Sequence, residues 1–68
     1  MTSTEESLTP RELEVLGMTA NGESQKRIAQ ALTMTAVTVK RDIKRIIRKM
    51  GARNKSNAIS IAVKQKII

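Results

Sequence analysis

The stretch that decides the fold is SQKRIAQALTMTAVTVKRDIKRIIRKM, residues 24–50. Its apolar residues recur at spacings of three and four on both sides of a short turn, which is the periodicity of amphipathic helices. Ser24 and Thr35 each precede one of these apolar runs and are residues of the kind that caps a helix. The pattern therefore predicts one helix over 25–32 and a second over 36–50.

The helix predicted over 36–50 has two distinct faces at about 100° per residue. One face is apolar and is predicted to be buried: Val39, Ile43, Ile46, Ile47 and Met50. The other is predicted to face solvent as a basic stripe with one apolar residue: Val37, Lys40, Arg41, Lys44 and Arg48, with Arg45 at its flank. Such a helix packs with one side and presents positive charge with the other.

Two further helices are predicted around this pair, over 10–21 and 55–65. The stretch Thr9-Pro10-Arg11-Glu12 is typical of a helix start, with Pro at the first position and Glu at the capping-box position. Asn54 or Ser56 is the expected N-cap of the last helix. No segment has the two-residue alternation of a β-strand, so the predicted fold class is all-α, a bundle of four helices.

Residues 1–7 are polar and acidic without periodicity, and they are predicted to form a flexible N-terminal tail. The folded domain is then expected over residues 8–68. The chain has no Cys for a disulfide and no His or Cys cluster for a structural metal. Its stability must therefore come from one small aliphatic core.

The net charge of +7 is unevenly distributed along the chain. Residues 24–55 carry ten Lys or Arg and one acid, Asp42, whereas residues 1–23 carry five acids and one Arg. A basic segment of this density indicates a polyanionic partner. No apolar run is long enough to span a membrane and no basic and apolar leader follows Met1. We therefore expect a cytoplasmic protein without a membrane partner.

Several classes of function are disfavoured by the composition. The chain has no His, no Cys and no Gly-rich phosphate loop, so we expect no catalysis, no metal, no cofactor and no small-molecule ligand. Phe, Tyr and Trp are also absent, which disfavours binding of RNA or single strands by base stacking. Double-stranded DNA is the expected partner.

Residues 8–68 resemble the LuxR-type (NarL/FixJ) helix-turn-helix domain of bacterial transcription regulators. The segments that carry the resemblance are LTPRELEVL at 8–16, NG at 21–22, S-x-K-x-IA-x-x-L at 24–32, TVK at 38–40, I-x-x-K-M-G at 46–51 and RNKSNAI-x-x-A at 53–62. Each is weak alone, but their order and spacing are specific. The resemblance implies a sequence-specific DNA-binding regulator whose third helix enters the major groove and whose fourth helix forms a two-fold homodimer contact.

Roles for individual residues follow from the resemblance. The residues expected to point toward base edges are Lys40, Arg41 and Lys44. Those expected to contact phosphates are Ser24, Lys26, Thr35, Thr38, Arg53 and Lys55. We add Arg45 and Arg48 to the phosphate contacts because they lie on or beside the basic stripe. Val37 either contacts a thymine methyl group or is an incidental exposed residue.

The fourth predicted helix has more apolar surface than one small core needs. Ala58, Ile61 and Val63 are therefore the expected dimer interface, the alternative being that this helix is simply well buried in its own domain.

Three residues depart from the family pattern. Thr33 stands where the family usually has Gly or another turn former, which predicts strain in the turn. Arg27 replaces a usual Glu and adds positive charge. Asp42 occupies a position often held by His, where an acid would repel a phosphate unless Arg45 neutralises it.

Other interpretations stay open beside this one. A sigma-like helix-turn-helix would bind DNA only within a larger complex, which makes RNA polymerase a candidate partner. A basic amphipathic protein-interaction module would instead bind an acidic protein or an anionic membrane. The resemblance fits small stand-alone members of the family and also the C-terminal output domain of a longer regulator.

Overall fold

Four α-helices form the domain in residues 7–68, which are the residues that the computed structural model describes. They are α1 at Pro10–Ala20, α2 at Gln25–Ala31, α3 at Ala36–Met50 and α4 at Lys55–Lys64. No β-strand occurs within residues 7–68, so the predicted all-α fold of four helices is confirmed. None of these helices is long and apolar enough to cross a membrane. Most of the predicted tail, residues 1–6, lies outside the described residues.

Each helix begins with a side chain that accepts a hydrogen bond from the first turn. The capping box of α1 is present: the Glu12 N–H donates to Thr9 Oγ1 at 3.1 Å, and the Thr9 N–H donates to Glu12 Oε1 at 2.9 Å. The hydroxyls of Ser24 and Thr35 cap α2 and α3. Asn54, one of the two residues predicted for this role, caps α4.

All four helices end with the same hydrogen bonds, those of a Schellman motif. At each helix end one residue has a positive φ. The N–H of the next residue donates to the carbonyl oxygen of the residue five positions before that donor. The residues with positive φ are Gly22 at 88°, Thr33 at 55°, Gly51 at 65° and Lys66 at 59°. Glycine adopts this conformation without steric cost, whereas a β-branched residue does not. The strain expected in the turn between α2 and α3 therefore has a definite backbone cause at Thr33.

The hydrophobic core lies where α1, α2 and α4 pack around α3, which contacts all three. Its buried members are Val15, Leu16, Ile28, Ala29, Val39, Ile43, Ile46 and Ala62. Ile47 and Met50, predicted to be buried, are half-buried and pack against the edge of this cluster. One side of α3 is thus fixed to the domain, and this leaves its other side to solvent.

Replacing Thr33 by Asn should stabilise the domain, because Asn tolerates a positive φ better than a β-branched residue does. We expect the free energy of unfolding to rise by about 0.5–1 kcal/mol, within the range of such backbone effects. Urea unfolding followed by circular dichroism measures this difference. Thr33→Val keeps the β-branch and should give no gain; the same stability in both variants would contradict the proposed strain.

Candidate nucleic-acid interface

The outer face of α3 is basic and exposed, as the helical periodicity predicted. Lys40, Arg41 and Lys44 are all exposed, and Val37 retains 63% of its surface. Within residues 7–68 none of the three basic residues forms an ion pair, so their charges are not compensated by the domain itself. On the opposite side of the same helix, Val39 is fully buried.

The residues predicted to contact phosphates lie mainly at the beginnings of helices. Ser24 and Lys26 are exposed at the start of α2, and Arg53 and Lys55 at the start of α4. At the start of α3 the hydroxyl oxygens of Thr35 and Thr38 lie 2.9 Å apart, Thr35 being exposed and Thr38 half-buried. The first N–H groups of a helix, together with its dipole, favour an anion.

The two arginines added from the basic stripe lie in different surroundings. Arg48 is exposed and lines a groove with Leu8, Leu13 and Ile61. Arg45 instead has carboxylates beside it: its Nη1 lies 3.7 Å from Asp42 Oδ1 and 3.9 Å from Glu12 Oε2.

Two buried acids behind the basic face were not anticipated from the sequence. Glu12 and Asp42 are each 1% exposed. Arg11 on α1 reaches Asp42 with two contacts, Nε to Oδ2 at 3.0 Å and Nη2 to Oδ1 at 3.1 Å. Lys49 on α3 donates to Glu12 Oε1 at 2.8 Å. We call Arg11, Glu12, Asp42, Arg45 and Lys49 the α1–α3 ion cluster.

The surroundings of Glu12 favour its charged form. Burial raises the pKa of its carboxyl group, but hydrogen bonds from the Lys49 ammonium and the Thr9 N–H act in the opposite direction, as do the charges of Lys49 and Arg45. The net effect is a pKa below the usual 4.5. The ionised side chain therefore stabilises the folded domain.

One of the three residues predicted for the dimer interface is buried inside the domain. Ala58 is 1% exposed, so its methyl group is enclosed in its own domain and is not available to a second copy; this part of the prediction is wrong. Ile61 is half-buried, and Val63 keeps 57% of its surface. Ile67 and Ile68, just beyond α4, are also exposed. Sequence reasoning counted the apolar residues of this helix but did not establish which of them face inward.

An exposed basic helix that follows a short turn in an all-α domain is the arrangement found in helix-turn-helix proteins of the DNA-binding class. The fold is similar to that of the transcription factor GerE, with a TM-score of 0.83 and 31% identity over 90% of this chain and 92% of that chain. It is also similar to a chain in the phage VqmA-DPO complex, with a TM-score of 0.81 and 37% identity over 87% of this chain and 27% of that one.

The particular family is shown by the sequence. The model of the luxR family of bacterial regulatory proteins matches residues 6–62. BjaR1, a transcriptional activator protein of Bradyrhizobium diazoefficiens, is 38% identical over 61 residues, which are 90% of this chain and 25% of BjaR1. This chain belongs to the luxR family, whose members are DNA-binding transcription regulators rather than enzymes.

The chain covers less than a third of the length of the curated relatives that it matches. It covers 30% of the regulator LiaR of Bacillus subtilis and 25% of BjaR1, whereas it covers nearly all of the GerE chain.

Substituting Glu12 by Gln should destabilise the domain near neutral pH by about 1.5–3 kcal/mol, the usual worth of hydrogen bonds to a charged group. Because the folded-state pKa is lowered, the stability contributed by Glu12 is present above pH 4.5 and is lost as the pH falls through the folded value. The difference between wild type and Glu12→Gln should therefore shrink on acidification.

Urea unfolding at a series of pH values measures this difference. Glu14→Gln removes an exposed acid of the same helix and should give a much smaller effect. A constant difference between wild type and Glu12→Gln down to low pH would show that the charge of Glu12 is not what stabilises the fold.

Proposed function

We propose that this domain is a sequence-specific reader of double-stranded DNA that places α3 in the major groove. The observation that carries the proposal is the position of Lys40, Arg41 and Lys44. They occupy one exposed face of a helix whose other face is fixed in the core. Arg41 is best suited to read a guanine, because its planar guanidinium can donate to O6 and N7 together. Val37 on the same face is placed to meet a thymine methyl group.

Phosphate contacts would orient this helix on the duplex. We assign them to the starts of the helices and to one arginine of α3: Ser24, Lys26, Thr35, Thr38, Arg48, Arg53 and Lys55. The support is their charge or their helix-start amides, which suit phosphate oxygens without reading sequence. Arg45 is left out of this group because two carboxylates lie beside it.

A homodimer through α4 completes the proposal. Val63 and Ile61 offer apolar surface, continued by Ile67 beyond the helix end. A two-fold dimer would place two copies of α3 on half-sites separated by one helical turn, roughly 34 Å. In the same proposal the protein acts in the cytoplasm, and RNA polymerase is a candidate partner of the bound dimer.

Selection of random duplexes by the purified chain, followed by sequencing, tests the proposal directly. A reader of this kind should enrich a palindromic sequence, and its affinity should fall steeply with salt. Affinity for anionic vesicles or acidic proteins with no enriched duplex would identify a protein-interaction module instead.

Arg41→Ala should weaken binding to the selected duplex more than binding to a scrambled duplex, by about 1–3 kcal/mol. Lys26→Ala should weaken both duplexes equally, since a phosphate contact carries no sequence information. Fluorescence anisotropy with labelled duplexes measures the four affinities. Equal losses from both substitutions on both duplexes would show that Arg41 does not read a base.

Val63→Asp should abolish dimer formation while the monomer stays folded, because it puts a charge into the apolar surface of α4. Val37→Asp is the matched control: a valine of similar exposure, 63% against 57%, is replaced on α3, and the oligomeric state should not change. Sedimentation equilibrium without DNA compares the variants. A wild-type chain that sediments as a monomer both free and on a palindromic duplex would rule out the dimer.

A further inference from the structure

Asp42 is an unusual residue for the DNA-facing helix of this domain. It directly follows Arg41 in α3, yet its side chain is turned inward and is almost completely buried. Its carboxylate is held from the neighbouring helix by the two contacts of Arg11. The contact from Nη2 to Oδ1 is a charge-assisted hydrogen bond, and the approach of Nε to Oδ2 adds electrostatic attraction. Asp42 therefore cannot itself face a phosphate.

Arg45 lies one helical turn beyond Asp42 and differs from Lys40, Arg41 and Lys44, which form no ion pair within residues 7–68. Its guanidinium is attracted to Asp42 and Glu12, at 3.7 and 3.9 Å. These distances are longer than those of hydrogen bonds, and 47% of the Arg45 side-chain surface is exposed to solvent. Arg45 is thus held electrostatically against α1 without being enclosed, and loss of an acid would leave it able to swing outward.

Because of the charge balance in the α1–α3 ion cluster, the loss of a single acid would weaken the attraction that keeps Arg45 in place. Three cations face two carboxylates, which leaves one positive charge in excess. Arg11 and Lys49 each have a carboxylate contact of 3.0 Å or less, so Arg45 is the most weakly bound cation of the cluster. Neutralising Asp42 would remove the nearer of its two partners.

We propose that Asp42 is a positioning residue that, with Glu12, holds Arg45 against α1 and away from the phosphate backbone. Arg45 is then not a phosphate contact in the wild-type protein. Because phosphate contacts strengthen binding to every sequence alike, withholding one lowers the affinity for all duplexes by the same factor and makes binding less dependent on salt. This inference rests on the proposed function.

The experiment measures the affinities for the selected duplex and for a scrambled duplex between 50 and 200 mM salt. In Asp42→Asn the freed Arg45 gains a phosphate, so the slope of log affinity against log salt should steepen by about 0.9. That corresponds to an affinity that falls about threefold more over this salt range. Affinity for both duplexes should rise by the same factor at the lower salt, and the specificity ratio should stay unchanged.

Two further variants separate this effect from a general change of charge. Glu14→Gln removes one exposed acid outside the cluster and should leave the slope unchanged. Arg45→Gln should also leave the slope unchanged in the wild-type background, but should reverse the change in the Asp42→Asn background. A structural role for Asp42 alone would not produce this dependence on Arg45.

Each outcome decides the proposal. A slope in Asp42→Asn that equals that of Glu14→Gln would overturn it. If Asp42→Asn does not fold, as judged by circular dichroism, Arg45→Gln decides alone. A salt dependence less steep by about 0.9 than that of the wild type would mean that Arg45 already contacts a phosphate, and the proposal would be wrong. An unchanged slope supports the proposal. A wild-type chain without any duplex preference would instead overturn the proposed function.

Discussion

The burial of one side of α3 is the constraint on which the rest of the domain depends. This helix contacts all three of the others, and its apolar face supplies three of the eight buried core residues. With about 3.6 residues per turn, fixing that face determines where every other side chain of the helix points. The exposed basic face is therefore a consequence of core packing. No contact among the exposed side chains is needed to produce it.

The local features of the fold could be predicted from sequence because they depend on neighbours along the chain. Caps and helix ends are decided within four or five residues, and the helices begin where expected, three of them ending one residue earlier. The exposure of Lys40, Arg41 and Lys44 follows from the periodicity of a single helix. Their proposed role in reading bases comes from the family resemblance and is a separate prediction.

The α1–α3 ion cluster could not be predicted in the same way. Its hydrogen bonds join residues 31 and 37 positions apart, and they depend on how two helices are rotated relative to each other. The sequence suggested only Arg45, three positions on in the same helix, as a partner for Asp42, and Glu12 was already accounted for by the capping box. Ala58 was assigned wrongly to the dimer interface for a related reason. Periodicity shows which residues share the apolar face of a helix, but not whether the rest of the domain or a second copy packs against that face.

The separation between the core and the three exposed basic residues has a consequence for how such domains diverge. Lys40, Arg41 and Lys44 contribute no ion pair within the described part of the chain, so they can be exchanged without reorganising the interior. Under the proposed function, a regulator built in this way can acquire a new target by a few substitutions while its thermal tolerance stays the same. Asp42 lies between Arg41 and Lys44 in sequence but is tied to α1, so in its proposed role a substitution there would change DNA affinity and stability together.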